Sequence, residues 1–290
     1  MLKFTTKHAS FFAVSASIAL LMASCQSSTT GKDTSASSTA DSLLTEFELR
    51  ESIKTATASY RITSTQDKDF TSYITLSANV QWPEELGKFK IENLRDTIMS
   101  YTFGHNANGD VNKAITAYVT EVNRYELGDK IERIDSIPES AEVNELYSSN
   151  SLSLTECTAQ TVTYTASMSE YLGGAHPISA SIPFTFILDS DRIVNMDYLF
   201  TKGSENTLKP ILMDAIAISH SMTPDELNRN LLNEPVIDSS TSVYLLNGAI
   251  VFHFNTYEIL PYSFGQTDAY ITPLEVAEIL TPEAKKLLTE

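Results

Sequence analysis

The chain has 290 residues, of which 42% are hydrophobic and 20% are charged, and its net charge is −17 because 37 acidic residues outnumber 20 basic ones. This balance argues against nucleic-acid binding, which requires clustered Lys and Arg. The length allows one large domain or two small ones, and the acidity could steer a basic partner towards the chain.

The first 24 residues have the features of an export signal. Lys3 and Lys7 precede an apolar stretch over residues 11–22, which is short for a membrane span and rich in Ser and Ala. The stretch ends at Ala23-Ser24-Cys25, and a lipoprotein signal peptidase accepts only small side chains directly before the acylated cysteine. We therefore expect residues 1–24 to be a signal peptide and Cys25 to carry acyl chains such as palmitate, which anchor the chain to a membrane.

Residues 26–42 contain no large apolar side chain. Such a segment cannot bury enough surface to offset the entropy lost on ordering, so we expect a flexible tether over residues 25–43. Gln26 follows the cysteine, and no Asp stands there to suggest retention in an inner membrane. The sequence therefore predicts a lipid-anchored protein of the outer membrane that faces the periplasm.

Residues 44–168 are predicted to form an N-terminal α+β domain. Apolar and small side chains alternate over residues 73–82, which predicts a half-buried strand that ends at Pro83. Helical spacing predicts one helix that ends at Gly104 and a second over residues 115–122. Residues 157–168 return to a composition typical of strands.

Residues 169–290 are predicted to form a second α+β domain. The predicted elements are a strand over residues 178–188, a turn at 189–191, a helix over 208–216, a capped helix that begins at Thr223, a hairpin at Asn247-Gly248, a strand at 270–271 and helices over 273–280 and from 282 onward. Clusters of strands and helices joined by hairpins predict an α+β fold of two successive units, with helices packed on antiparallel sheets.

Only one cysteine remains once Cys25 is acylated, so no internal disulfide is possible. Cys157 lies within a segment of strand character. We interpret it as a buried structural thiol.

Two phrases in the second domain combine glycine, histidine and aromatic residues. They are Tyr171-Leu172-Gly173-Gly174-Ala175-His176-Pro177 and residues 252–265, which include His253, Tyr257, Glu258, Pro261, Tyr262 and Gly265. Their order over residues 169–288 resembles a bacterial envelope domain family. That family includes the extracytoplasmic part of the lysozyme-sensing anti-sigma factor RsiV and the accessory part of the peptidoglycan deacetylase PdaC, whose accessory half is similar to residues 44–168.

The resemblance implies a binding module rather than a reaction. One branch of the family binds lysozyme, so the expected ligand is lysozyme, a peptidoglycan or other glycan component, or an envelope protein. The deacetylase relatives carry a separate catalytic domain, and its metal-binding Asp and His motifs are not found in this sequence. We expect no cofactor and no bound metal.

The same residues allow two interpretations. Gly173, Gly174 and His176 could form a ligand loop, or the glycines could supply positive φ at a sheet corner, and we favour the second. Glu258 could pair with His253 or His176 as an acid and base, which would suit a hydrolase of envelope polymers, or it could bond to backbone amides.

Familiar catalytic motifs are not found in the sequence, which favours a non-catalytic binding protein over an enzyme. A periplasmic scaffold for a protein partner is a further alternative. The binding interpretation predicts an exposed aromatic patch of Tyr257, Tyr262 and Phe264.

Overall fold

The computed structural model describes residues 49–64, 71–104, 109–125, 127, 130–139 and 146–289. The predicted signal peptide, Cys25 and the predicted tether lie outside these ranges. The described chain forms a seven-stranded sheet, a three-stranded sheet and packed helices. This architecture confirms the predicted α+β class.

The large sheet is formed by the first seven described strands. These are β1 (Leu49–Thr63), β2 (Thr71–Leu86), β3 (Lys130–Ile134), β4 (Leu146–Cys157), β5 (Thr161–Tyr171), β6 (Ile178–Ile187) and β7 (Arg192–Ile193). Their order is β3-β1-β2-β4-β5-β6-β7, and every neighbouring pair is antiparallel except β2 and β4. A parallel pair needs a long crossover, and here the chain between β2 and β4 supplies two helices and β3.

One face of the large sheet is covered by helices α1 (Glu92–Phe103) and α2 (Val111–Thr120). Leu94 and Ile98 of α1 are fully buried, which agrees with their predicted helical spacing. The side chain of Asp110 begins α2 by accepting the N–H groups of Asn112 and Lys113 at 3.0 and 3.2 Å. Every second residue of the strands points towards these helices, and the residues between them point to the opposite face of the sheet.

The predicted end of a strand at Pro83 is wrong. Strand β2 continues to Leu86, and Pro83 lies opposite Glu51 where the register of β1 shifts between Arg50 and Glu51. A proline has no N–H to donate, and an irregular position in the ladder accommodates it.

The small sheet has the order β10-β9-β8 and consists of β8 (Val243–Leu246), β9 (Ala249–Phe254) and β10 (Thr267–Ile271). The predicted hairpin is confirmed, because Asn247 and Gly248 join β8 to β9 with φ of 51° and 75°. Apolar side chains from one face of this sheet pack in a core with helix α4 (Glu205–Ser219). The remaining helices of this part are α3 (Met196–Leu199), α5 (Pro224–Asn230) and α6 (Pro282–Thr289).

The two sheets are joined by hydroxyl groups. The N–H of Leu245 in β8 donates to the hydroxyl of Thr185 in β6 at 2.8 Å, and the hydroxyl of Thr163 in β5 donates to the carbonyl of Leu245 at 3.1 Å. The two threonine hydroxyls are 2.8 Å apart, and both residues are fully buried. We call this network the threonine junction. It satisfies the backbone N–H and carbonyl of Leu245, a buried residue of β8, which is an edge strand of the small sheet.

The boundary predicted between residues 168 and 169 falls within β5, which is continuous from Thr161 to Tyr171. The large sheet therefore contains strands from both sides of that boundary. The division into residues 44–168 and 169–290 stays a prediction.

Two local predictions are wrong. Residues 273–279 form successive turns rather than a helix, with bonds such as Ile279 N–H to the carbonyl of Val276 at 3.0 Å, and Leu280 forms an isolated bridge to Phe200. Cys157 is exposed rather than buried, because it lies at the last position of β4. Among the described residues, no helix combines the length and apolar character that crossing a membrane requires.

Replacing Thr185 with Val keeps the shape of the side chain but removes the hydroxyl of the threonine junction. The N–H of Leu245 is then buried without a partner, so we expect the free energy of unfolding to fall by about 1–3 kcal/mol. Thr155→Val is the control, because its hydroxyl bonds to Thr165 at 2.9 Å on an exposed part of the sheet. Urea denaturation of both variants measures the difference. Equal stability of the two variants would show that the junction does not hold the sheets together.

Candidate functional site

Both motif-bearing loops identified in the sequence come together in the structure. The His176 ring stacks on the Tyr262 ring with 4.0 Å between centroids and 29° between planes. The Tyr257 ring is 5.7 Å from Tyr262 and 6.4 Å from His176. We call these three residues the aromatic cluster. All three residues are partly exposed.

The first loop connects β5 to β6 and contains the paired glycines. Gly173 and Gly174 have φ of 94° and 116°, and a Cβ at either position would meet no atom within 4 Å. The glycines are therefore required by backbone conformation and not by space. The Tyr171 hydroxyl donates to the carbonyl of Gly174 at 3.0 Å, and Nδ1 of His176 donates to the carbonyl of Pro177 at 3.1 Å. These bonds hold the loop that presents His176.

The second loop follows β9 and contains an unusual backbone conformation. Tyr257 has φ of 67°, in the left-handed region that a bulky side chain rarely adopts. Its N–H donates to the carbonyl of Leu260 at 3.1 Å, and Pro261 then leads into a 3-10 helix over Tyr262–Phe264 that ends at Gly265 with φ of 74°. Backbone strain of this kind persists only where the surroundings enforce it, and it is common at binding sites.

Glu258 stabilises the second loop from within. Its carboxylate accepts the N–H of Asn255 at 2.8 Å, and its own N–H donates to the carbonyl of Asn255 at 3.0 Å. The carbonyl of Glu258 accepts from Asn233 at 3.0 Å. The carboxylate therefore bonds to a backbone amide, which is the second of the two interpretations that the sequence allowed.

Asn255 fixes the second loop to the large sheet. Its side-chain oxygen accepts the N–H of Ser181 at 2.7 Å, and its side-chain nitrogen donates to the carbonyl of Ser181 at 3.0 Å. Gln266 donates to the same Asn255 oxygen at 3.1 Å. The side-chain amide of Asn255 therefore makes the two hydrogen bonds to Ser181 that a neighbouring strand would make. These bonds hold the second loop against β6.

His253 has a different environment from the aromatic cluster. Its side chain is buried, with only 3% of the residue exposed, and Nδ1 lies 2.8 Å from the carboxylate of Asp268 on the adjacent strand β10. Its Nε2 is buried without a hydrogen-bond partner. The hydrogen bonds of His253, His176 and Glu258 thus go to three different partners, and His253 pairs with Asp268 rather than with Glu258. Within the described ranges, no group of three or more His, Cys, Asp or Glu residues is arranged to hold a metal.

Phe264 is partly exposed, like the members of the aromatic cluster, but its ring contacts a different neighbour. Its ring meets the ring of His220 edge-on at 5.6 Å between centroids and packs against the core beside α4. Nε2 of His220 lies 2.8 Å from the hydroxyl of Thr267, and burial lowers the pKa of this imidazole. His176 takes the place of Phe264 beside the two tyrosines.

A polar network lies between the large sheet and helix α2, and the sequence did not indicate it. The buried hydroxyl of Ser148 lies 2.7 Å from the hydroxyl of Tyr118 and accepts from Tyr125 at 2.8 Å, and the Arg124 guanidinium stacks on both tyrosine rings at 4.4 and 4.6 Å. Glu170 pairs with Ser148 across the strands, and burial raises the pKa of its carboxyl group. This network connects α2 to the sheet, and only the strand pairing brings its members together.

Comparisons with known proteins agree on one family. The family model described as "Protein of unknown function (DUF3298)" matches residues 197–272, a range that includes Tyr257 and Tyr262 but not His176. The solved structure of a DUF3298 family member from Bacteroides fragilis is similar, with a TM-score of 0.63, 17% identity, and coverage of 84% of this chain and 98% of that chain.

A DUF3298 family protein from Pseudomonas aeruginosa is also similar, with a TM-score of 0.53, 13% identity, and coverage of 83% of this chain and 98% of that chain. These likenesses show a shared fold. No protein of curated function matches the chain in sequence.

Tyr257→Gly and Tyr262→Gly each remove one ring of the aromatic cluster, but only the first relieves backbone strain. A left-handed conformation costs a non-glycine residue about 1–2 kcal/mol, whereas glycine adopts it freely. We therefore expect Tyr257→Gly to be more stable than Tyr262→Gly by about 1 kcal/mol or more. Thermal and urea denaturation measure the order of the two variants. The reverse order would show that the strain at Tyr257 is negligible.

Proposed function

We propose that the protein is a lipid-anchored, non-catalytic binding protein of the bacterial cell envelope. Its contact surface is the aromatic cluster, and its ligand is a basic protein of the lysozyme type. The observation that carries the proposal is the union of the two motif-bearing loops into one partly exposed ring stack, held by Asn255 and by the strained backbone at Tyr257. Tyrosines on a rigid support are typical of the residues that dominate protein interfaces.

The charge of the chain supports a basic partner. The net charge of −17 creates a long-range attraction that accelerates association with a cationic protein. Glu258 is exposed beside the aromatic cluster, and its carboxylate is oriented by its bond to Asn255. Attraction between exposed charges weakens as salt screens it, so such binding is expected to depend on ionic strength.

The resemblance to the lysozyme-sensing anti-sigma factor and the peptidoglycan deacetylase supports the same setting. The apolar stretch over residues 11–22 and the small residues before Cys25 also support this setting, because they favour export and acylation. In this proposal the folded part lies in the periplasm, attached to the outer membrane by the tether. Sugar rings of peptidoglycan are the alternative ligand of the aromatic cluster, because they also stack on tyrosine.

The contacts at the site favour binding over hydrolysis of envelope polymers. A hydrolase built from His176, His253 and Glu258 would need at least two of these groups to face one substrate position. Instead His253 faces Asp268, Glu258 holds the N–H of Asn255, and His176 donates to Pro177.

Calorimetric titration of the protein with C-type lysozyme at low and high salt tests the ligand. We expect saturable binding that weakens at high salt. Tyr262→Ala should reduce the affinity about 10- to 30-fold, because it removes the central ring of the cluster. Tyr270→Ala is the matched control, since Tyr270 is 51% exposed and lies on β10 outside the cluster.

The result can contradict the proposal in two ways. If no heat is measured at either salt concentration while peptidoglycan fragments bind, the ligand is a glycan and not lysozyme. If lysozyme binds wild type and Tyr262→Ala equally, the aromatic cluster is not the contact surface.

Cys25→Ser removes the thiol that would carry the lipid. We expect the variant to lose incorporation of labelled palmitate and to leave the membrane fraction, because the acyl chains are the proposed anchor. Cys157→Ser is the control, since it removes the other cysteine and leaves Cys25 in place. Palmitate labelling of the Cys25→Ser variant at the wild-type level would exclude this site of acylation.

A further inference from the structure

The face of the large sheet opposite helices α1 and α2 carries an ordered array of hydroxyl groups. Strand pairing aligns its members in three rows across β1, β2, β4 and β5: Thr55, Asn79, Ser151 and Ser167; Thr57, Ser77, Ser149 and Ser169; and Ser59, Thr75, Tyr147 and Tyr171. All of them except Asn79 carry a hydroxyl, and every one is at least partly exposed. We call these residues the hydroxyl face.

This side of the sheet is identified by the residues that alternate with it. Asn150 donates to the carbonyl of Thr102 in α1, and Ser148 bonds to Tyr118 of α2, so these neighbours of Ser149 point towards the helices. Ser149 consequently points away from them, since successive strand residues face opposite sides.

The hydroxyl face carries no charge, although 20% of the chain is charged. A solvent-facing sheet surface usually includes Lys or Glu, and here no carboxylate, amine or guanidinium interrupts the three rows. Arg61 follows Ser59 on the same side of β1, but it lies past the last row and is paired with Glu132 at 2.5 Å. The acidity of the protein is thus located elsewhere on its surface.

The spacing of the array follows from sheet geometry. Neighbouring strands are about 4.8 Å apart and alternate residues along one strand about 6.7 Å apart, so donors and acceptors repeat at short intervals in both directions. A hydroxyl group can donate once and accept twice. The Ser149 hydroxyl donates to the carbonyl of Ser169 at 3.2 Å, so its oxygen can still accept a hydrogen bond. At one end, the Tyr147 and Tyr171 rings lie 6.4 Å apart and offer flat apolar surfaces.

We infer that the hydroxyl face binds an uncharged polysaccharide chain laid across the strands. An acidic polymer would be repelled by the net charge of −17, and a basic protein would find no carboxylate on this face. A neutral sugar chain supplies hydroxyl and amide groups at short intervals, together with ring faces that stack on tyrosine. This surface adjoins the aromatic cluster at Tyr171, whose hydroxyl bonds to the loop that presents His176. The inference does not depend on lysozyme being a ligand of that cluster.

The test is titration of the full-length protein with chitohexaose and cellohexaose, which are neutral sugar oligomers, and co-sedimentation with purified peptidoglycan. We expect at least one oligomer to bind, with an affinity that does not change between low and high salt because no charge takes part. Polygalacturonate, an acidic polysaccharide, should not bind. Ser149→Lys should weaken oligomer binding at least tenfold by placing a long charged side chain in the middle row.

Two further variants make the outcome decisive. Tyr147→Ala should also weaken oligomer binding, and Leu274→Lys should not, since it places the same new charge at a site that is 86% exposed outside the large sheet. Circular dichroism shows whether each variant is folded. The inference is overturned if neither oligomer binds, if only peptidoglycan with its peptide stems binds, or if Ser149→Lys and Tyr147→Ala both bind like wild type.

Discussion

The packing of the small sheet on the large sheet depends on the threonine junction. There, the buried hydroxyls of Thr163 and Thr185 make the hydrogen bonds that a neighbouring strand would otherwise make. Leu245 belongs to the small sheet, yet both of its backbone polar groups bond to hydroxyls of the large sheet. Buried backbone groups must find partners, so this network determines where β8 can lie against β5 and β6. The position of β8 determines that of β9, and β9 leads directly into the second loop of the candidate site.

The candidate site follows from that placement. Its two loops are separated by about eighty residues, and they meet because Asn255 satisfies both backbone groups of Ser181 at the edge of β6. With the loop held at this point and by Glu258, Tyr257 remains in a left-handed conformation that an unrestrained chain would avoid. The stack of His176 on Tyr262 is therefore presented by a rigid frame, which limits the entropy that a ligand would cost on binding.

The two faces of the large sheet carry different types of side chain. Towards the helices, residues such as Leu76 and Ala78 are buried in the cores, whereas the intervening Ser77 lies on the uncharged hydroxyl face. The same alternation that builds the core thus produces a polar surface without any separate element. In a chain of net charge −17, such a neutral area is a surface distinct from the acidic remainder.

Local chemistry allowed much of the fold to be predicted from the sequence. Asn247-Gly248 predicted its hairpin because few other pairs adopt two positive φ values, and the spacing of Leu94 and Ile98 predicted a helix whose buried face they form. Pro83 misled the prediction, because an irregular position in the ladder between β1 and β2 accommodates it. Cys157 misled it too, since strand composition does not reveal that a residue ends its strand at the surface.

The sequence by itself determined which residue types the candidate site contains, because the glycines, histidine and tyrosines of the two loops are visible as motifs. Only the tertiary structure decided their roles. It placed His176 rather than Phe264 beside Tyr262, and gave Glu258 a backbone partner. It also aligned the serines and threonines of four strands into one face. The physical reason is that motifs report local conformation, whereas these contacts depend on strand order and on the buried bonds between the sheets.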